Sequence, residues 1–170
     1  MDRQYLGTPF PPYSYGLNLS LGFKGFDALI EGQGVAGNHI YTQRRTAQFA
    51  VLNYESNRVN AWTGPGTSNV EPILDNSRGN NYLFSTYYLE KGDYFRLRTV
   101  QLGYTFGGTT FSKAGIQKMR LYISGQNIKT WSKVSGYTPE AQIGSITGGG
   151  ADNGVYPVPA IYSLGLNVTF

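Results

Sequence analysis

Tyr13-Ser14-Tyr15-Gly16-Leu17-Asn18-Leu19-Ser20-Leu21-Gly22-Phe23 is the stretch that decides the fold. Its odd positions are Tyr, Tyr, Leu, Leu, Leu and Phe, and its even positions are Ser, Gly, Asn, Ser and Gly. A strand points successive side chains to opposite faces, so this alternation gives one apolar face and one small, polar face. The rings stand at the two ends of the apolar face with leucines between them. A lipid-facing strand is built this way, aliphatic across the hydrocarbon and aromatic at each interface. The core of a soluble sandwich gives no reason to sort rings to the strand ends. The last stretch, Ala160-Ile161-Tyr162-Ser163-Leu164-Gly165-Leu166-Asn167-Val168-Thr169-Phe170, repeats the alternation, with Tyr162, Leu164, Leu166, Val168 and Phe170 on one face. Chain termini tend to fray, whereas this one ends at full hydrophobic strength, as a strand paired into a large sheet does.

Composition is consistent with that reading. Charged residues are 14% of the 170, against about a quarter in soluble domains, while aromatics reach 15% and there are 23 glycines. The chain is nevertheless hydrophilic on average, and no apolar run approaches the ~18 residues that suggest a spanning helix. An outer-membrane-type barrel has this profile, because its lumen face dilutes its lipid face. On composition alone a soluble sandwich or jelly roll fits equally well. The absence of cysteine excludes a disulfide framework and a thiolate metal site. The net charge of +4 is scattered apart from Arg44-Arg45, which gives little support to nucleic-acid binding. Residues Met1 to Tyr5 lack the apolar core of a signal peptide.

Taken in order, residues 1–12 are a lead-in rich in turn formers, with Gly7, Pro9, Pro11 and Pro12. Lys24-Gly25 is a tight hairpin turn after the first strand. A second strand near 26–37 carries Phe26, Ala28 and Ile30 on one face and Asp27, Glu31 and Gln33 on the other, which suits a water-filled lumen better than a dry core. Residues 38–93 read as a long, mostly irregular loop with short strand extensions near 47–53 and 83–89, and a loop of that length counts against a small sandwich. A third strand spans 94–106, with Val100, Leu102, Tyr104 and Phe106 towards lipid. Before Val100 its pattern inverts, placing Arg96 and Arg98 on the nominal lipid face, so that half lies at the headgroups or contains a bulge. A fourth strand near 117–130 slips at Asn127-Ile128, again as a bulge would make it. A second long loop covers 131–157, and the final strand covers 158–170. Connections therefore alternate between short or medium and long, the asymmetry of a barrel with periplasmic turns and extracellular loops. That asymmetry places the C-terminus at the periplasmic side. About five strands are too few, since the smallest such barrels have about eight and open edges in lipid are not viable. Other strands must come from elsewhere.

Several segments resemble the C-terminal region of SusC/RagA-like TonB-dependent outer-membrane transporters of Bacteroidetes. They are Tyr5-Leu6-Gly7-Thr8-Pro9, Gly25-Phe26-Asp27, residues 93–106, Leu121-Tyr122-Ile123-Ser124-Gly125-Gln126-Asn127, Gly136-Tyr137-Thr138-Pro139-Glu140 and the ending from Tyr156 onward. Order and spacing match over essentially the whole chain. Two departures are Thr138, where Asp is usual, and Ala160, where Arg is common. The resemblance implies a 22-stranded transmembrane barrel with long extracellular loops, of which this all-β chain supplies the C-terminal antiparallel strands. It implies active import of nutrients, glycan or peptide oligomers, energised by TonB. It also implies a plug domain lying outside this chain, a SusD-like surface lipoprotein as partner, and a further chain or segment holding the remaining strands. A separate C-terminal chain is the expectation over a partial one. In the resemblance the terminal aromatic strand, Tyr162, Leu164, Leu166, Val168 and Phe170, also serves as the barrel-assembly signal.

No catalytic constellation is present. His39 is the only histidine, which rules out His-based triads and multi-His metal sites within the chain. Asp27 and Glu31 lie about 13 Å apart on a strand, too far for glycosidase acid–base work. Gly148-Gly149-Gly150 lacks the Lys and helix of a phosphate loop. Asp152-Asn153-Gly154 reads as a turn before it reads as a Ca²⁺ ligand set. Trp62, Trp131 and Tyr137, in or beside the long loops, are the candidate substrate or partner contacts, weighed against plain loop packing. Asp27, Glu31, Gln33 and Arg120 are the candidate lumen lining. Two other functions fit the residues: a self-assembling outer-membrane pore subunit, and a soluble carbohydrate-binding β-domain.

Overall fold

A computed structural model describes residues 4–47, 54–74, 81, 83–107, 115–140 and 149–170. The fold is all-β and antiparallel. Strands β1 (Tyr13–Phe23), β2 (Phe26–Ala36), β5 (Tyr94–Phe106), β6 (Lys118–Ser132) and β7 (Ile161–Thr169) form one sheet in the order β1-β2-β5-β6-β7. Two short strands, β3 (His39–Tyr41) and β4 (Leu89–Lys91), pair with each other in the loop region, and a short helix α1 (Gln43–Ala47) follows β3. The β1–β2 turn is Lys24-Gly25 with φ of 47° and 87°, the pair of positive values that a two-residue hairpin matched to strand twist requires.

Register places the side chains. Leu17 pairs with Gly32, Leu19 with Ile30 and Leu21 with Ala28, and β2 carries these levels on to β5, where Ile30 meets Val100 and Ala28 meets Leu102. β6 and β7 continue them, Leu102 facing Ile123 and Ile123 facing Leu164. Directly opposite residues share a face, so one apolar surface runs unbroken across all five strands. It is uncovered: Leu17, Leu19, Leu21, Leu102, Leu121, Ile123, Leu164 and Leu166 are all exposed. Full burial of each would contribute about 1.5–3 kcal/mol, and no described residue buries them.

The expected bulges lie side by side. Between Leu97 and Thr99 the β5–β6 register shifts, setting Arg98 against Asn127-Ile128, and Asn127 has φ 51°. The β2–β5 register shifts at the same level, between Glu31 and Gly32. An extra residue flips the side-chain parity beyond it. Arg96 is thereby returned to the polar face opposite Gln33 and Thr130, while Phe95 and Leu97 join the apolar face. The placement of Arg96 on the nominal lipid face is corrected by this bulge.

The buried core lies in the loops rather than in the sheet. Ile40, Thr42, Tyr88 and Asp152 are fully buried there. Tyr41 is bridged to Ala151, with its N–H donating to Gly150 O (2.8 Å), so three loop segments are laced together. The strand extension expected near 83–89 is instead a 3₁₀ turn, Thr86–Tyr88, leading into β4 at Leu89. Of the extension expected at 47–53, Ala47 ends α1 and 48–53 lie outside the described residues.

Candidate functional site

The chain presents three chemically distinct surfaces. The first is the apolar face. Near its loop end Tyr15, Phe95 and Trp131 form an aromatic row across β1, β5 and β6, with centroids 6.1 Å and 5.9 Å apart. Glycine makes the row possible: a Cβ on Gly34 would meet the Tyr15 ring at 2.5 Å, and one on Gly32 would meet Phe95 at 2.5 Å. At the opposite end Phe26 packs on Tyr104 (4.6 Å) and Tyr104 on Phe106 (4.9 Å), with Phe23 exposed beside them. From Tyr13 to Phe23 is about 34 Å of extended strand, or about 25 Å along the membrane normal at a tilt near 40°. Trp131, expected as a loop platform, is therefore a strand residue within this row; it keeps the odd-position face of β6, and the parity change at Arg98 in β5 brings Phe95 to meet it. Tyr162, Leu164, Leu166 and Val168 lie on the same apolar face of β7, and Phe170 follows the strand exposed.

The second surface is the polar face. Arg120 of β6 reaches across β5 to Asp27 of β2: its Nε donates to Asp27 Oδ1 at 2.8 Å and its second nitrogen to Oδ2. The strand between has Gly103 at the crossing point, where a Cβ would sit 2.6 Å from the guanidinium. The same guanidinium lies 4.8 Å from the Tyr122 ring centre, and that ring lies over Gly165. Two of the four lumen candidates thus form one bidentate clip. Gln33 accepts from Arg98 at 2.9 Å, and Glu31 stands between Asn18 and Thr99 on the same face.

The third surface is the loop cap, seated on the sheet through Arg96. Arg96 is 5% exposed; its Nη1 donates to Glu140 Oε2 (2.9 Å) and its Nε to Thr130 Oγ1 (2.9 Å), while Tyr94 Oη donates to Glu140 Oε1 (3.1 Å). Thr138, one of the two departures from the family pattern, is buried, and its hydroxyl accepts from Glu140 N at 3.3 Å. Higher in the cap Arg44 pairs with Glu55 and with Asp152 (2.9 Å), and Arg45 with Glu90 (3.0 Å). Buried Arg58 holds Glu71 (3.3 Å) and accompanies Tyr87, whose hydroxyl donates to Glu71 at 2.6 Å. Burial, then that carboxylate, push the Tyr87 phenol up to about 12. Asp152 Oδ1 accepts from Gly154 N (2.9 Å), so it is a turn carboxylate already paired with Arg44. Among the described residues no cluster has the composition of a metal site.

Of the aromatic candidates, Tyr137 is 75% exposed and borders a groove of about 390 Å³ with Arg44, Arg45, Asn57 and Ser135. Trp62 lies in the loop, its N–H donating to Glu71 O at 3.1 Å, and does not border that groove. Sequence reasoning missed the Arg96–Glu140 seat and the Arg44, Arg45 and Arg58 braces. Arg44-Arg45 was the one local signal, and the carboxylates named above lie 11 to 108 residues away.

No family model matches the chain. It is 33% identical over 179 residues to TonB-dependent receptor P3 of Formosa agariphila, covering 99% of this chain and 17% of the receptor. TonB-dependent receptors P39 and P26 of the same organism are 31% and 29% identical, each again over 99% of this chain. Among solved structures, the RagAB peptide importer in its closed-closed state superposes with a TM-score of 0.79 at 24% identity, over 98% of this chain and 18% of that one. The open-open state gives 0.76 at 24% identity, over 95% and 17%. The chain thus spans under a fifth of the length of the proteins it matches.

Proposed function

We propose that this chain, a SusC/RagA-like segment of the TonB-dependent receptor type, forms part of the wall of an outer-membrane nutrient importer. The observation that carries the reading is the uncovered apolar face between two aromatic rows, backed by a polar face with a charged clip. In water such a face would aggregate; in a bilayer it is solvated, and the rows match the depth of the hydrocarbon band. Among the described residues, the edges β1 and β7 each leave a row of backbone groups without a strand partner. In lipid every such group costs several kcal/mol, so strands from outside this chain are needed to close a barrel, one of about 22 strands by its resemblance to the large outer-membrane transporters.

In this reading β1 and β5 run towards the periplasm, Phe170 ends there, and the loop cap is extracellular. Tyr162, Leu164, Leu166, Val168 and Phe170 act as the assembly signal. Asp27, Glu31, Gln33 and Arg120 face the lumen, and Tyr137 and Trp62 are the surface aromatics available to cargo or to a SusD-like lipoprotein. The cargo class is glycan or peptide oligomers, the plug and TonB contact lie outside this chain, and the chain performs no covalent chemistry. Solubilising the native complex in detergent and identifying its components by mass spectrometry tests the reading. Recovery with the remaining receptor strands and a surface lipoprotein is expected. Recovery as a homo-oligomeric pore or as a detergent-independent monomer would overturn it.

A further inference from the structure

The bulge at Asn127-Ile128 shapes the apolar face beside it. It folds the Ile128 side chain over Gly125, so that a Cβ on Gly125 would meet Ile128 Cδ1 at 2.8 Å. The result is a notch of about 450 Å³ in the apolar face, floored by Gly125 and walled by Val100, Ile123, Ile128, Tyr162 and Leu164. Lys129 stands on that face, opposite Leu97 and one paired level inside the Phe95–Trp131 level. Lys129 is exposed, and no ion pair or hydrogen bond joins it to any described residue. Lys133 follows just beyond Trp131, equally unpaired, although Asp93 precedes Tyr94 on the neighbouring strand, its Oδ1 accepting from Gly37 N at 2.7 Å.

A lysine on a lipid-facing surface is costly unless its ammonium reaches the headgroups or meets an anion. Lys129 lies about 7 Å along the strand from the aromatic row, within reach of headgroup depth. An acyl-sized apolar notch with a free cation at its interfacial end is complementary to one class of molecule. We propose that β6 and β7 hold an anionic, phosphate-bearing lipid, one acyl chain in the Gly125 notch and its phosphate on Lys129. The proposal rests on the barrel reading above.

The test uses the complete, folded receptor in detergent, titrated with dimyristoyl phosphatidylglycerol or with the zwitterionic dimyristoyl phosphatidylcholine and read by native mass spectrometry. The wild type is expected to retain the anionic lipid preferentially. Lys129→Gln should lower that occupancy about five-fold, the equivalent of one surface lysine on an anionic leaflet, with phosphatidylcholine unchanged and Lys129→Arg restoring it. Gly125→Val, which fills the notch, should weaken both lipids. Equal retention of the two lipids by the wild type, or a Lys129→Gln variant indistinguishable from it, overturns the site. So does a second receptor copy occupying the face in place of lipid. Heat-dependent gel mobility separates the two levels: a protein with the folded-barrel shift but no lipid preference defeats this inference alone, and one without the shift defeats both.

Discussion

In the sheet, Leu17, Leu19 and Leu21 stand exposed, whereas in the loop cap Ile40, Tyr88, Arg58 and Asp152 are buried. A water-soluble domain would reverse the first of these. In the barrel reading, the contrast reflects two solvents acting on one chain. Where lipid is the solvent, the sheet needs no apolar core of its own, and its polar side carries the clip, with Gly103 beneath it. Where water is the solvent, the cap has a buried core, in which Ile40 and Tyr88 lie with polar groups such as Thr42, Arg58 and Asp152. It is knit by ion pairs from Arg44, Arg45 and Arg58 and by the short β3–β4 ladder.

The largest expected effect comes from charging the lipid side. Leu19→Arg, near the middle of β1, should cost about 2–4 kcal/mol and abolish insertion, measured as folding into vesicles by heat-dependent gel mobility. Ser20→Arg, one residue on and facing the other way, should fold nearly as the wild type. Equal defects would erase the difference between the faces. At the chain end, Phe170→Asp should reduce membrane assembly, read as receptor abundance in the outer-membrane fraction.

Much of the sheet could be read in advance because alternation is a local signal. The Lys24-Gly25 turn and the pattern breaks near Arg98 and Asn127-Ile128 were visible as single residues out of phase. What a phase break could not disclose was its consequence. Only the register shows that Arg96 moves to the polar side and that Trp131 joins Phe95 and Tyr15. The site was less legible. Asp27 and Arg120 were each identifiable as polar-face residues, but their pairing spans 93 positions and depends on Gly103 between them. Glu140 appeared only as part of a resemblance, because nothing local ties it to Arg96.

The seat of the cap gives the next effect. Glu140→Ala leaves the buried Arg96 guanidinium without its carboxylate and should destabilise the cap by about 3 kcal/mol, seen as faster proteolysis near residues 136–140 with the barrel intact. If the sheet melts as well, the two regions are one cooperative unit and the comparison fails. The clip is a smaller matter. Asp27→Asn removes a partly exposed pair, which solvent screens, so a loss of about 1 kcal/mol or less is expected by denaturant titration of the assembled barrel.

The smallest effect under ordinary conditions is the titration of Tyr87. Its folded pKa, about 12, lies above the unfolded value of 10.0. The stability it contributes is therefore fully present below pH 10 and is lost as pH rises through about 12. Burial also raises Tyr41, so phenolate absorbance should show a late-titrating phase, and Tyr87→Phe should lower its amplitude by one tyrosine.

The account stands most directly on which side of the sheet meets lipid. This chain contributes no cysteine, so single cysteines at positions 17 to 21 can be spin-labelled in the assembled receptor in vesicles. The measurement is collision with lipid-soluble oxygen against a water-soluble nickel chelate. Oxygen dominance at Leu17, Leu19 and Leu21 with chelate dominance at Asn18 and Ser20 is the predicted result. Chelate access at all five positions, or at neither set, would contradict it.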